Sequence, residues 1–233
     1  MPNNYVSNAS LGLQPDPNFA GVVMLLHMDE PAGSLIPVDV KGNTILRRGN
    51  PVINAAVALA ANNVLDMTAA GSYLSIACAG LAFGTADFTI EGFHRWTVAS
   101  SSSLSKGILN IGPLADGFGE YRTSIAINMR PNDQKWEIYA GGGITVGTAV
   151  AQVGVKYHYA LVRKSGVTTL YVNGVAAITL ADTYNYTATN MVLGALYTAD
   201  HVGLGYHDEV RVTKGVARYN GNFTPPDGKF PDQ

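Results

Sequence analysis

The sequence predicts an all-β fold, two antiparallel sheets packed as a sandwich. Three observations carry that prediction. Short apolar runs are separated throughout by turn formers, with 26 Gly and 11 Pro in 233 residues, which is the punctuation of a sandwich or barrel. Phe88-Thr89-Ile90-Glu91-Gly92-Phe93 alternates with the period of a half-buried strand. Asn173-Gly174 stands between two strand-like runs, and this pair tolerates positive φ at both centres of a type I′ hairpin turn. The length suits one sandwich, and a chain of this size buries a sizeable core.

In chain order the expected strands are Val22–His27, Tyr73–Ile76, Phe88–Trp96, Gly107–Ile111, Thr123–Asn128, Trp136–Ala140, Tyr157–Lys164, Thr168–Val172, Ala176–Leu180, Met191–Leu196 and Gly205–Val212. Residues 54–64 are Ala-rich but lack a 3.6-residue period, so a short strand or loop is expected there. Ser100–Ser105 is expected as a loop and Gly141–Gly143 as a flexible turn. No composition break splits the chain. Residues 1–18 form an expected arm, 19–222 the domain, and 223–233 a C-terminal tail.

Charged residues are only 14% of the chain and the formal net charge is −2. A surface of Gly, Ser, Thr and Asn suits turns, or packing against neighbouring subunits. Without a Lys/Arg run, the electrostatic footprint of a nucleic-acid binder is missing. No uninterrupted apolar stretch reaches membrane-spanning length, and Met1–Pro17 lacks the pattern of a signal peptide. The single cysteine, Cys78, is expected as a buried small hydrophobe with no disulfide partner.

Three segments carry a resemblance. They are Val22–Asp29; Tyr157–Arg163 followed by Tyr171-Val172-Asn173-Gly174-Val175; and His207-Asp208-Glu209-Val210-Arg211-Val212-Thr213-Lys214-Gly215-Val216-Ala217-Arg218-Tyr219, then Phe223-Thr224-Pro225-Pro226. With Gly71–Ile76 and Asp87–Glu91, this set resembles the laminin-G-like branch of the concanavalin-A-like lectin/glucanase superfamily over roughly residues 20–226. The resemblance implies a jelly-roll sandwich. The closing run looks like the version carried by bacteriophage virion proteins. It therefore implies a non-enzymatic virion protein, decorating a head or associated with a tail, whose partners are other virion proteins, further copies of itself and a host surface glycan. The alternative is a carbohydrate- or receptor-binding lectin-like module, and a glycosidase comes third.

Fold alone does not decide among these. A retaining glycosidase needs two carboxylates about 5 Å apart, and the glucanase branch carries a Glu-x-Asp-x-x-Glu-like cluster that this sequence lacks. Asp87 and Glu91 have the spacing to share a strand face, with Glu91 expected to point outward. Asp208 and Glu209 are adjacent, so on a regular strand they point to opposite faces. No catalytic residue and no cofactor are expected. The candidate calcium ligands are Asp29, Asp39, Asn43 and Asp208, since calcium takes six to eight oxygens. Ser72 stands where the family often has Asp, which removes one carboxylate from that set. The histidines form no HExxH or helical pair; His158 is expected to be packed, and His201 with His207 flank a Gly-rich turn. The candidate ligand-binding residues are Asp182, Tyr184, Asn185, Tyr186, Tyr197 and Tyr206, because loop aromatics beside amide and carboxylate groups suit stacking on a sugar ring.

Overall fold

The computed structural model describes residues 15–55, 57–60, 63–101, 103–112, 124–196 and 201–233. Fifteen strands follow in order: β1 (Val22–Leu26), β2 (Thr44–Arg48), β3 (Val52–Asn54), β4 (Val64–Asp66), β5 (Tyr73–Ala77), β6 (Phe88–Trp96), β7 (Lys106–Ile111), β8 (Ile125–Met129), β9 (Lys135–Ala140), β10 (Gly143–Val150), β11 (Tyr157–Lys164), β12 (Val167–Val172), β13 (Val175–Ala181), β14 (Asn190–Leu193) and β15 (Gly205–Lys214). Only two single-turn 3-10 helices interrupt them among the described residues.

The strands form two antiparallel sheets. One runs β13-β12-β11-β6-β15-β4-β3, with β1 also paired to β15; the other runs β10-β9-β8-β7-β14-β5-β2. Their inward residues make one core: Ile90 and Trp96 from β6, Leu161 from β11, Ile125 and Ile127 from β8, Trp136 and Ile138 from β9. Trp96 and Trp136 meet edge to face across the sheets with ring centroids 5.1 Å apart, the favoured geometry of an aromatic pair.

The hairpin expected at Asn173-Gly174 forms, with φ of 48° and 77° at the two residues. A Cβ at Gly174 would stand 1.9 Å from the Phe223 carbonyl oxygen, so the position needs glycine for space as well as for φ. Cys78 is buried, and its Sγ donates to the Val23 carbonyl oxygen at 3.5 Å.

Four strands were not expected. β10 contains Gly143 and Gly147, and its start lies in the run expected as a flexible turn. β2 ends on two arginines, and β3 and β4 have three residues each. Between β3 and β4 the Ala-rich stretch supplies Leu59 to a small apolar cluster on the outer face of the larger sheet.

The C-terminal segment packs on the sandwich. Phe230 is 1% exposed and clusters with Val22, Leu25, Leu59, Val64 and Phe93. Tyr219 and Phe223 stack 3.6 Å apart and lie against Ala160, Val162 and Tyr171. The two ends of the described chain meet, with the Asp16 N–H donating to the Gln233 carbonyl oxygen at 2.7 Å.

Candidate functional site

Strand alternation places Glu91 on the outer face of the larger sheet, as expected, but that face is covered and Glu91 is fully buried. It accepts from Arg211 Nε at 3.0 Å, Arg211 Nη2 at 2.8 Å and the Tyr219 hydroxyl at 2.7 Å. His158 Nε2 stands 3.5 Å away. Burial opposes ionisation of Glu91, yet His158, Arg211 and Tyr219 outweigh it and hold the carboxyl down at about 2. Asp16 extends the network, accepting from Arg218 at 3.0 and 2.7 Å and from Arg211 at 3.2 Å. Each carboxylate is engaged by guanidinium or hydroxyl donors, so the cluster clamps the chain ends onto the sheet.

Asp208 and Glu209 do not follow simple alternation. A bulge lies between the Asp208–Phe93 and Arg211–Glu91 pairs, and Glu209 takes a left-handed φ of 49°, the re-aiming that a β-bulge produces. Asp208 Oδ2 accepts from the Ala60 N–H at 2.7 Å and Glu209 Oε2 from the Phe230 N–H at 2.9 Å. Both carboxylates thus meet segments packed on the same face.

The candidate calcium ligands are not gathered into one site. Asp39 Oδ1 accepts from the Leu25 and Lys41 N–H groups, and its Oδ2 accepts from the backbone and side chain of Asn43. Asp29 pairs with Lys229 at 2.9 Å. Among the described residues no group of three His, Cys, Asp or Glu is placed to hold a metal ion.

The expected aromatic binding loop turns mostly inward. Asp182 is 1% exposed and accepts from the Thr168 hydroxyl at 2.6 Å and the Tyr186 hydroxyl at 2.8 Å. The Tyr186 hydroxyl in turn accepts from the Gly141 N–H at 2.8 Å, and its ring packs edge-on against Phe88 at 5.6 Å. Asp182 and Tyr186 therefore hold the β9–β10 turn to the β13 end rather than facing a ligand. Tyr184 and Asn185 remain exposed, Tyr206 is half-buried, and Tyr197 lies outside the described residues.

An open concavity lies on the outer face of the seven-stranded sheet. A cross-strand row runs Leu46, Ser75, Val192, Asn110, Ala126, Tyr139, Ile144 from β2 to β10. Over its β8–β10 end lies a cleft of about 340 Å³, lined among others by Asn128, Arg130, Glu137, Tyr139, Ile144 and His201. Ala126 contributes only a methyl group to the floor, which leaves depth between its neighbours. Asn128 Nδ2 donates to Glu137 Oε1 at 2.8 Å. Arg130 Nε lies 3.6 Å from Glu137 Oε2, and its Nη1 is 3.2 Å from Asp133. One aromatic face, one amide, one carboxylate and one guanidinium thus share a wall. Sequence reasoning missed these residues because it sought loops; the alternation in Trp136-Glu137-Ile138-Tyr139-Ala140 already puts Glu137 and Tyr139 on one face.

Comparison with solved structures supports the architecture. Domain 4 of AbnA, an arabinanase of Geobacillus stearothermophilus solved in complex with arabinotriose, superposes with a TM-score of 0.57 at 15% identity, over 84% of this chain and 93% of that one. A Trypanosoma rangeli sialidase matches with a TM-score of 0.60 at 17% identity, over 86% of this chain, which spans 31% of the sialidase. The binding domain of botulinum neurotoxin serotype D matches with a TM-score of 0.62 at 10% identity, over 91% of this chain and 51% of that one. At these identities the likeness is one of fold. No curated protein matches the chain in sequence. A laminin-G-type family model matches residues 68–218, from the segment before β5 into the closing motif as far as Arg218, and the chain belongs to the concanavalin A-like lectin/glucanases superfamily.

Proposed function

We propose that this chain is a non-enzymatic carbohydrate-binding domain whose ligand lies in the cleft on the seven-stranded sheet. The observation that carries the reading is the shared wall of Tyr139, Asn128, Glu137 and Arg130. An aromatic face supplies apolar contact to the C–H side of a sugar ring, while amide, carboxylate and guanidinium groups match its hydroxyls. The likeness to an arabinanase domain solved with arabinotriose supports a neutral oligosaccharide as the class of ligand. The lining supports binding without turnover. Glycoside hydrolysis uses a pair of carboxylates, and Glu137 is the one carboxylate among the described lining residues. The test is a glycan array that includes neutral oligosaccharides, followed by calorimetry on any hit. Selective binding is expected; no binding at millimolar oligosaccharide overturns the reading.

The setting we propose is a bacteriophage particle, with other virion proteins and a host surface glycan as partners. The support is the form of the closing run Thr213–Tyr219 and Phe223–Pro226. Mass spectrometry of purified particles from a phage that encodes the chain is the check, and particles lacking it refute the setting.

A further inference from the structure

The sequence holds two Asn-Gly pairs, Asn173-Gly174 and Asn220-Gly221, and the fold treats them in opposite ways. Asparagine is chemically labile, most of all before glycine, which leaves the shared peptide unit the widest rotational freedom. The glycine nitrogen attacks the asparagine Cγ and a C–N bond forms. The side-chain amide leaves as ammonia, carrying the proton that the backbone N–H gives up. Water then opens the five-membered imide to aspartate, or to isoaspartate when the main-chain bond is the one cut. No oxidant, cofactor or enzyme is required.

Asn173 is held away from this reaction. It is exposed, but its Oδ1 accepts from the His158 N–H at 2.8 Å, and its own N–H donates to the His158 carbonyl oxygen at 2.8 Å. Gly174 is buried, and its carbonyl oxygen accepts from the Phe223 N–H at 2.9 Å. Bringing the Gly174 nitrogen onto the Asn173 Cγ turns the peptide unit between them, which breaks these bonds and opens the hairpin. Asn220 meets none of these restraints. Asn220 and Gly221 are both exposed, and a Cβ built on Gly221 would stand in open space. Among the described residues no hydrogen bond engages the Asn220 side chain or the Gly221 N–H. The flanks of the pair are nonetheless fixed. The Tyr219 hydroxyl donates to Glu91 at 2.7 Å, Asn222 Oδ1 accepts from the Ala176 N–H at 3.0 Å, and Phe223 stacks on Tyr219.

We propose that Asn220 is a site of spontaneous deamidation, and that its conversion loosens the join between the closing segment and the β12–β13 hairpin. Isoaspartate puts an extra methylene into the main chain between Tyr219 and Phe223, and both products add a carboxylate. Tyr219 belongs to the Glu91 network, while the Phe223 N–H is bonded to Gly174 in the hairpin. A lengthened connection between two anchors at a fixed separation strains one of them, and the single backbone bond at Phe223 yields before the buried Glu91 network does. The conversion runs one way in water, so older molecules carry a looser closure over the larger sheet.

Ageing of the full chain in mildly alkaline buffer, followed by peptide mass spectrometry, tests the site. Asn220 should convert to aspartate and isoaspartate while Asn173 lags at least about tenfold, because its reaction waits on local opening of a hairpin inside the sheet. In denaturant the two should convert at similar rates. Matching rates in the folded chain overturn the proposal. So does a lag of Asn173 that persists in denaturant, which would place the contrast in the neighbouring residues rather than in the fold. Gly221→Ala, for which the structure has room, should slow conversion of Asn220 several-fold, and an unchanged rate refutes attack by the Gly221 nitrogen. The effect on the closure is read separately. Anion exchange isolates the deamidated chain by its added negative charge, and hydrogen exchange compares it with the unmodified one. The Phe223 amide should lose protection several-fold on deamidation; equal protection in the two forms overturns the loosening.

Discussion

The outer faces of the two sheets carry polar side chains to opposite ends. On the larger sheet Glu91, Arg211, His158 and Thr213 face outward but are buried, because Asp16, Arg218, Tyr219, Phe223 and Phe230 lie over them. On the seven-stranded sheet Glu137, Arg130 and Tyr139 also line the outer face and stay partly exposed at the cleft, beside the buried Asn128. The first face engages its hydrogen-bonding groups with the chain's own ends; the second leaves Glu137, Arg130 and Tyr139 partly exposed, where we propose that a ligand binds. The closing motif that resembles virion proteins therefore has a structural task, since Arg211, Arg218 and Tyr219 are its network and Phe223 its stack. Family likeness in that run reports how the sandwich is clamped.

The sharpest way to break this comparison is at the clamp. Glu91→Ala removes the acceptor shared by Arg211 and Tyr219 and leaves a buried guanidinium facing a cavity. Breaking a buried pair from one side costs about 3–5 kcal/mol, and urea unfolding should show a loss of that size. A loss under about 1 kcal/mol would mean that the covered face is held by its aromatic contacts alone.

A second test strikes between the sheets. His94 and His207 face each other across β6 and β15, fully buried, with ring centroids 4.4 Å apart. Among the described residues neither ring nitrogen of His207 has a hydrogen-bond partner. Burial pulls His207 down to about 3, and burial together with His207 pulls His94 well below its ordinary value. Their folded values lie below the unfolded one, so the stability they permit is complete above pH ~6.5. It falls away as pH drops from there toward the folded values. Between pH 8 and pH 5 each imidazole should cost about 2 kcal/mol. Glu91 stays ionised throughout that interval. Glu209, whose carboxyl burial pushes up, works in the opposite direction. Urea midpoints at pH 8 and pH 5 give the difference, and His207→Phe should remove roughly half of it. Unchanged midpoints would show that the pair is protonated, or solvated, in the folded protein.

The fold was largely legible because its strands announce themselves locally. Phe88–Trp96 and Tyr157–Lys164 have the bounds that their apolar runs predict, and Asn173-Gly174 turns as such a dipeptide must. β10 was illegible because its glycines also serve a turn, and β3 and β4 because three residues hold no period. The site was less legible for a different reason. Whether an outward strand residue meets solvent depends on what a distant segment does. Alternation points both Glu91 and Glu137 outward, and only the path of residues 216–233 makes one a clamp and the other a cleft wall. Asp182 and Tyr186 looked like a binding pair because loop aromatics often are exposed; here Thr168 and the Gly141 turn claim them.

The mildest perturbation separates binding from catalysis on the open face. Glu137→Gln keeps an oxygen to accept from Asn128 and removes only the charge beside Arg130. On a partly exposed strand the stability change should stay within about 0.5 kcal/mol, an order of magnitude below that of Glu91→Ala. Tyr139→Ala, by contrast, removes the stacking face and should weaken oligosaccharide binding about tenfold or more, in line with the 1–3 kcal/mol an aromatic contact of this kind supplies. If Glu137 only accepts hydroxyl hydrogen bonds, Glu137→Gln weakens binding a few-fold and wild type and variant alike leave the oligosaccharide intact over days. If Glu137 is instead half of a hydrolytic pair, wild type cleaves the oligosaccharide and the variant does not, with binding largely kept. Calorimetry beside product analysis of the same samples distinguishes the two, because only the second outcome requires another carboxylate to reach the cleft.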